Sequence, residues 1–190
     1  IHDRARYTAA VVLGKVIEEG AYSNIALNQT IGEQRLNRQD AAFATYLTMG
    51  VLERKLYLDW VIGKYMKRWP GHALNCQILR LGCYQALFSE SVPDSAAVNT
   101  SVELAKDAGA SGLSALVNGV LRNIIRNKNS VGIPRGDSVE DIALRYSCKP
   151  WMAEMLIAQY TGEEIEAILG FHQIPLTVTV NDGKGMTRDQ

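Results

Sequence analysis

From residue 4 to residue 128 the apolar positions recur every three or four residues, the spacing that places side chains on one face of an α-helix. The pattern predicts a first helix from about Asp3 to Glu19, with Leu13, Val16 and Ile17 inward and Gly20 as its stop. Ser23 or Asn24 can cap a short second helix holding Ile25, Leu27 and Ile31. Asn37 caps a long one whose apolar line is Phe43, Tyr46, Leu47, Val51 and Leu52. A break near Leu58–Asp59 separates it from LYLDWVIGKYMKRW. Pro70 suits the first turn of GHALNCQILRLGCYQALFS. Asp94 is the expected cap of DSAAVNTSVELAKDAG, which stops at Gly109. The last member, ALVNGVLRNIIRNK, carries a stripe of Val117, Val120, Leu121, Ile124 and Ile125. The connections are short, so the expected architecture is an all-α helical bundle over residues 1–128.

The periodicity stops at NSVGIPRGD, residues 129–137, which reads as a linker. Beyond it, Ser138 with Asp141 and Thr161 with Glu164 form capping boxes that announce short acidic helices. PWMAEMLIAQY lies between them, opening at Pro150. PLTVTV then alternates Leu176, Val178 and Val180 with threonines and reads as a strand. One strand is not stable alone. Residues 138–190 are therefore expected to begin a truncated α+β subdomain, and the chain to be a fragment.

Composition excludes several classes. The 190 residues are 47% hydrophobic and 21% charged, typical of a folded globular chain. No run approaches the roughly 18 apolar residues of a membrane span, and no signal-peptide pattern follows the N-terminus, so a cytoplasmic location is expected. Cys76 and Cys83 lie two helical turns apart, about 10 Å, too far for a disulfide. With no C-x-x-C and with His2, His72 and His172 in unrelated contexts, neither a metal site nor a disulfide is expected. Net charge is zero, but residues 1–136 hold 16 basic and 11 acidic residues, a balance of +5, and residues 137–190 a balance of −5. No acidic residue occurs between Asp107 and Asp137, where Arg122, Arg126, Lys128 and Arg135 all fall. That distribution tilts the reading toward an anionic partner.

No catalytic constellation is present: no G-x-G-x-x-G follows a strand, and NDGKGMT lacks phosphate-loop spacing. The basic residues carry more. Arg4 and Arg6 stand at a helix start, where the macrodipole disfavours cations, so they are either a solvated arm or a binding element. Arg122 and Arg126 share one helix edge; they could hold two phosphates, or Arg122 could pair with a neighbouring helix. Lys128 extends that edge. Asn118, on the same line, reads as a buried hydrogen-bonding group. Lys64, Lys67 and Arg68 cluster beside Trp60, Tyr65 and Trp69, an arrangement that either stacks on bases or packs internally. Arg80, in an otherwise apolar helix, is expected to be tethered inside the bundle, with Glu103 as partner.

Three stretches together, DAAFATYLTMGVLERKLYLDW, ILRLGCYQALFSESVPDSAAVNTSVELAK and ALVNGVLRNIIR, resemble the all-helical NusB-type domain. That domain occurs alone as an antitermination factor and at the front of the Fmu/Sun/RsmB family of rRNA (cytosine-5) methyltransferases. RYSCKPWMAEMLIAQYTGEEIEAIL and LTVTVNDGKGMTRDQ resemble the segment that follows the NusB-like part in the methyltransferases only. The chain departs from their pattern at Glu53, where a G-x-L-R arginine is common, in the spacing of Lys149–Pro150–Trp151, and at Thr179. The resemblance implies an RNA-binding N-terminal region that positions small-subunit rRNA for a C-terminal catalytic domain of the same protein. S-adenosylmethionine would serve the full-length protein, with no cofactor and no catalytic residue in this stretch. The alternative is a NusB-type antitermination module acting in regulation of transcription.

Overall fold

The Asn37 cap sets the start of the molecule's longest helix: its side-chain oxygen accepts the Asp40 N–H at 2.9 Å, satisfying one of the first-turn donors. In this computed structural model, which describes residues 2–170, that helix is α3, Arg38–Gly63. It runs unbroken through Leu58–Asp59, where the sequence pattern suggested a break. Asp59 does not compete with the backbone there because its carboxylate is taken by Lys55 one turn back and by Arg80 of a neighbouring helix. The other helices are α1 (Arg4–Ile17), α2 (Ser23–Glu33), α4 (Ala73–Phe88), α5 (Asp94–Asp107), α6 (Ser114–Arg126), α7 (Val139–Tyr146), α8 (Pro150–Ile157) and α9 (Gly162–Gly170), with a 3₁₀ turn at Ser111–Leu113 before α6. Gly20 and Gly109, both at positive φ, end α1 and α5 as expected.

Other expected starts shift. Tyr22 rather than Ser23 or Asn24 precedes α2, and Ile25 is exposed while Ala26 and Leu27 pack against Val12 of α1. Pro70 lies outside α4, its carbonyl accepting from the Cys76 thiol. Pro93 occupies the cap position of α5, and Asp94 is its first helical residue.

α4 is buried on nearly every side, surrounded by α1, α3, α5 and α6. Leu13, Leu47, Leu58, Ile62, Ile78, Leu79, Leu121 and Ile124 fill the space between them. Gly82 lets α4 approach its neighbours closely. A Cβ there would stand 2.5 Å from a Leu121 methyl and 2.7 Å from the Ser101 hydroxyl. Gly82→Ala, usually favourable in a helix by about 1 kcal/mol, is expected instead to lower stability by about 1 kcal/mol. An unchanged or raised urea midpoint would show that the Leu121 side chain yields freely.

The segment after α6 is held to the bundle. Val131 is buried in the main core, and its carbonyl accepts the Tyr57 hydroxyl at 3.3 Å. α7 rests on α3, and α7, α8 and α9 share a small core of Ile142, Ala143, Cys148, Ala153, Leu156 and Ile165. Both capping boxes form: Ser138 accepts the Asp141 N–H at 3.1 Å, and Glu164 accepts the Thr161 N–H at 2.8 Å. The described residues contain no strand; the PLTVTV stretch lies outside them.

Candidate nucleic-acid interface

The stripe of Val117, Val120, Leu121 and Ile124 seats α6 on the core, which leaves the Arg122–Arg126 edge in solvent. Arg122 Nε donates to the Asn118 side-chain oxygen at 2.8 Å. Asn118 is thus a half-exposed residue that orients the arginine, not the buried group expected. Among the described residues, no ion pair to a neighbouring helix forms at Arg122. The two arginines, with Asp94, Ser95, Val98, Asn99 and Ile125, border a groove of about 380 Å³ between α5 and α6. Lys128 lies beside it, its Nζ 2.6 Å from the Asp94 carboxylate. Both partners are substantially exposed, so this pair is weak and leaves the lysine available to an anion.

Arg4 lines a second groove of about 560 Å³ between the start of α1, α3 and α5. Asn99 borders both grooves, so Arg4 and the α6 arginines face adjoining surfaces across α5. The Arg4 guanidinium also donates to the Gln34 carbonyl. Carboxylates temper this second groove: Asp40, Glu103 and Asp107 line it. The His2 backbone N–H, 2.7 Å from Asp107, holds that carboxyl below its ordinary range. Arg6 spends its donors within the protein, on Gln85 at 2.8 Å and Asp3 at 2.5 Å, and its guanidinium stacks over Phe43.

Lys64, Lys67 and Arg68 are exposed but lie elsewhere. Phe43, beneath Arg6, is 21 residues from Lys64 along α3, roughly 30 Å. Lys64 Nζ sits 3.5 Å from the Trp60 ring centroid, and the Arg80 guanidinium lies over Trp69 at 4.8 Å. Each ring therefore has one face covered by the protein's own cation. Arg80 pairs with Asp59, not with Glu103: Nε donates to one carboxylate oxygen at 2.7 Å and Nη2 to the other at 3.2 Å. Glu103 instead takes Lys106 one turn on. The three cysteines are buried, unbridged thiols, and burial pushes each of them up.

Charge counting passed over Arg54 and Arg145. Arg54 of α3 lies over Phe88 at 4.8 Å. Arg145 of α7 donates Nε to the Pro134 carbonyl at 2.8 Å and Nη2 to the Gly136 carbonyl. Both line a cleft between the bundle and α7. The signal available for Arg145 is its place in the R-Y-S stretch; for Arg54 there is none, because its setting depends on Phe88 of α4 and on α7, both distant in sequence.

A model described as the NusB family matches residues 3–126. The probable ribosomal RNA small subunit methyltransferase B of Bacillus subtilis (strain 168) is 34% identical over 94% of this chain and 41% of its own length. The transcription antitermination protein NusB of Desulforamulus reducens is 32% identical over 66% of this chain and 90% of its own. A chain from a crystal structure of antitermination factors NusB and NusE in complex with dsRNA shares the fold. Its TM-score is 0.60 at 23% identity, covering 66% of this chain and 96% of that one. The chain thus spans well under half the length of its methyltransferase relative.

Proposed function

This chain belongs to the NusB family, and from that premise we propose that it is the RNA-binding N-terminal region of an S-adenosylmethionine-dependent small-subunit rRNA (cytosine-C5) methyltransferase. The observation that carries the reading is the reach of the similarity. The match to the B. subtilis methyltransferase extends over 94% of the chain, whereas the D. reducens antitermination protein covers 66%. In this reading residues 1–128 are the RNA-binding bundle, 129–137 a connector, and 138–190 the start of the pre-catalytic subdomain. Arg122, Arg126 and Lys128 grip phosphates along the α6 edge, and Arg4 extends the contact across α5. S-adenosylmethionine does not fit the described grooves, which are open, rimmed by arginines and carboxylates, and without a glycine-rich turn leaving a strand. Cofactor and methyl transfer therefore fall to a C-terminal catalytic domain of the same protein, which is the intramolecular partner in this reading. The second reading, an antitermination module, draws on the near-complete coverage of the D. reducens protein.

Titrating the chain with a small-subunit rRNA hairpin at two salt concentrations tests the proposal. Affinity should fall steeply with salt. An Arg122→Glu/Arg126→Glu variant, its helicity checked by circular dichroism, should bind at least tenfold more weakly with a salt slope shallower by about two. Salt-independent binding, or none, would sink the proposal. Equal affinity for an unrelated hairpin would move the weight to the second reading.

A further inference from the structure

The R-Y-S stretch, Arg145–Tyr146–Ser147, does not touch the α5–α6 groove. All three residues line the cleft between the bundle and α7, and Glu53, Arg54, Tyr57, Phe88 and Ile133 line the rest of it. A recess of about 170 Å³ and a bay of about 790 Å³ adjoin here, and Ile133, Arg145 and Tyr146 border both. Arg135 and Glu166 stand at the bay. The recess equals about five or six water volumes, room for a phosphate-sized group and not for a stacked base with its sugar.

Three features prepare this cleft for an anion. Arg54 reaches it from α3 and Arg145 from α7, so two arginines from different parts of the chain line the same recess. Arg145 is held in direction by the Pro134 and Gly136 carbonyls, which use Nε and Nη2 but leave Nη1 without a described partner. Arg54 is backed by the Phe88 ring, and Glu53, its neighbour in sequence, takes one N–H at 3.2 Å while remaining half exposed. Ser147 adopts a left-handed conformation, φ 50° and ψ 37°, which is unfavourable for a residue with a Cβ. It ends α7 at the lip of the recess.

We propose that this cleft is a second RNA contact, in which Arg54 and Arg145 clasp one backbone phosphate of a single strand and the bay, walled by Ile133 and Tyr146, receives the adjoining nucleotide. The inference rests on the RNA-binding reading above and deepens it. RNA fits better than an acidic peptide because forked arginine donors match phosphate geometry, and because the bay beyond sets Ile133 and Tyr146 beside one cation and one carboxylate, Arg135 and Glu166, rather than a run of further cations.

Fluorescence anisotropy of this chain with a short single-stranded RNA, across a salt series, is the test. Arg54→Gln should weaken binding roughly tenfold and make the salt slope shallower by about 0.7, one single-strand phosphate contact. Ile133→Glu, at an exposed position with no hydrogen-bonding role, should weaken binding by a similar factor without touching the fold. Wild-type affinity and slope in both variants, with loss only in Arg122→Glu/Arg126→Glu, would overturn the cleft and leave the RNA reading standing. No RNA binding by any form would remove both. Arg54-dependent binding of poly-glutamate with Arg54-independent binding of RNA would make the cleft a peptide site and also overturn the proposal.

Discussion

Replacing Asp59 with alanine is expected to lower the unfolding free energy by about 3 kcal/mol, read as a shift of the urea midpoint at unchanged slope. Arg80 is buried within α4, and its guanidinium has three local supports: the two Asp59 oxygens, the Gln77 side-chain oxygen at 2.9 Å, and the Trp69 ring. Without Asp59 the positive charge stays buried with a neutral amide and an aromatic face. The desolvation of a charge is then no longer offset. Asp59 is itself about a quarter exposed, which keeps the effect at the lower end of the range for buried pairs. The sign of the companion experiment differs. Asp59→Leu combined with Arg80→Met removes both charges and should recover most of the loss, because an apolar pair of similar volume needs no compensation. A single replacement that shifts stability by less than about 0.5 kcal/mol would show the pair to be solvated in effect.

Gly50→Ala should be nearly as damaging, about 2–3 kcal/mol. An added Cβ would stand 2.1 Å from Tyr84 Cζ and 2.2 Å from its hydroxyl oxygen, well inside contact distance. The ring cannot retreat readily. It packs on Phe88 in a stacked arrangement and on Tyr46 at a tilt, both with centroids 5.8 Å away. Relief must come from moving α3 away from α4, which opens the centre of the core. The helix-propensity gain of alanine, about 1 kcal/mol, is smaller than that disruption. Gly50→Ala/Tyr84→Leu, which removes the obstructing ring, should be less than additive in a double-mutant cycle. Strict additivity would mean that the two residues do not meet.

The contrast between those two sites shows what could be read from the chain alone. Local signals were legible: Asn37 caps α3, the Ser138 and Thr161 boxes open α7 and α9, and Gly20 and Gly109 end their helices. Each depends on residues within one turn. Asp59 misled because a mid-helix aspartate usually signals a turn, and here a partner 21 residues away holds its carboxylate. Arg80 was correctly placed inside the bundle, yet its partner came from α3 instead of α5, a choice set by helix packing. Pro70 and Pro93 both sit just outside positions that proline statistics favour. At the candidate interface, amphipathicity alone exposed Arg122 and Arg126. It could not reveal that Arg6 is engaged with Gln85 and Phe43, or that Arg54 and Arg145 share a cleft. Those relations join residues some 40 to 90 positions apart.

The unequal cores on either side of Val131 carry a consequence for how the molecule comes apart. Among the described residues, six buried side chains form the tail's apolar centre, whereas the bundle's continues through five helices. α7 leans on α3, but α3 gains most of its burial from α1 and α4. Opening is therefore hierarchical. The tail can detach as a subglobal unit while the bundle persists, yet once α3 is released the tail loses its platform. Thermal denaturation followed by calorimetry is expected to show two linked steps, the tail yielding first; a single two-state transition would count against this.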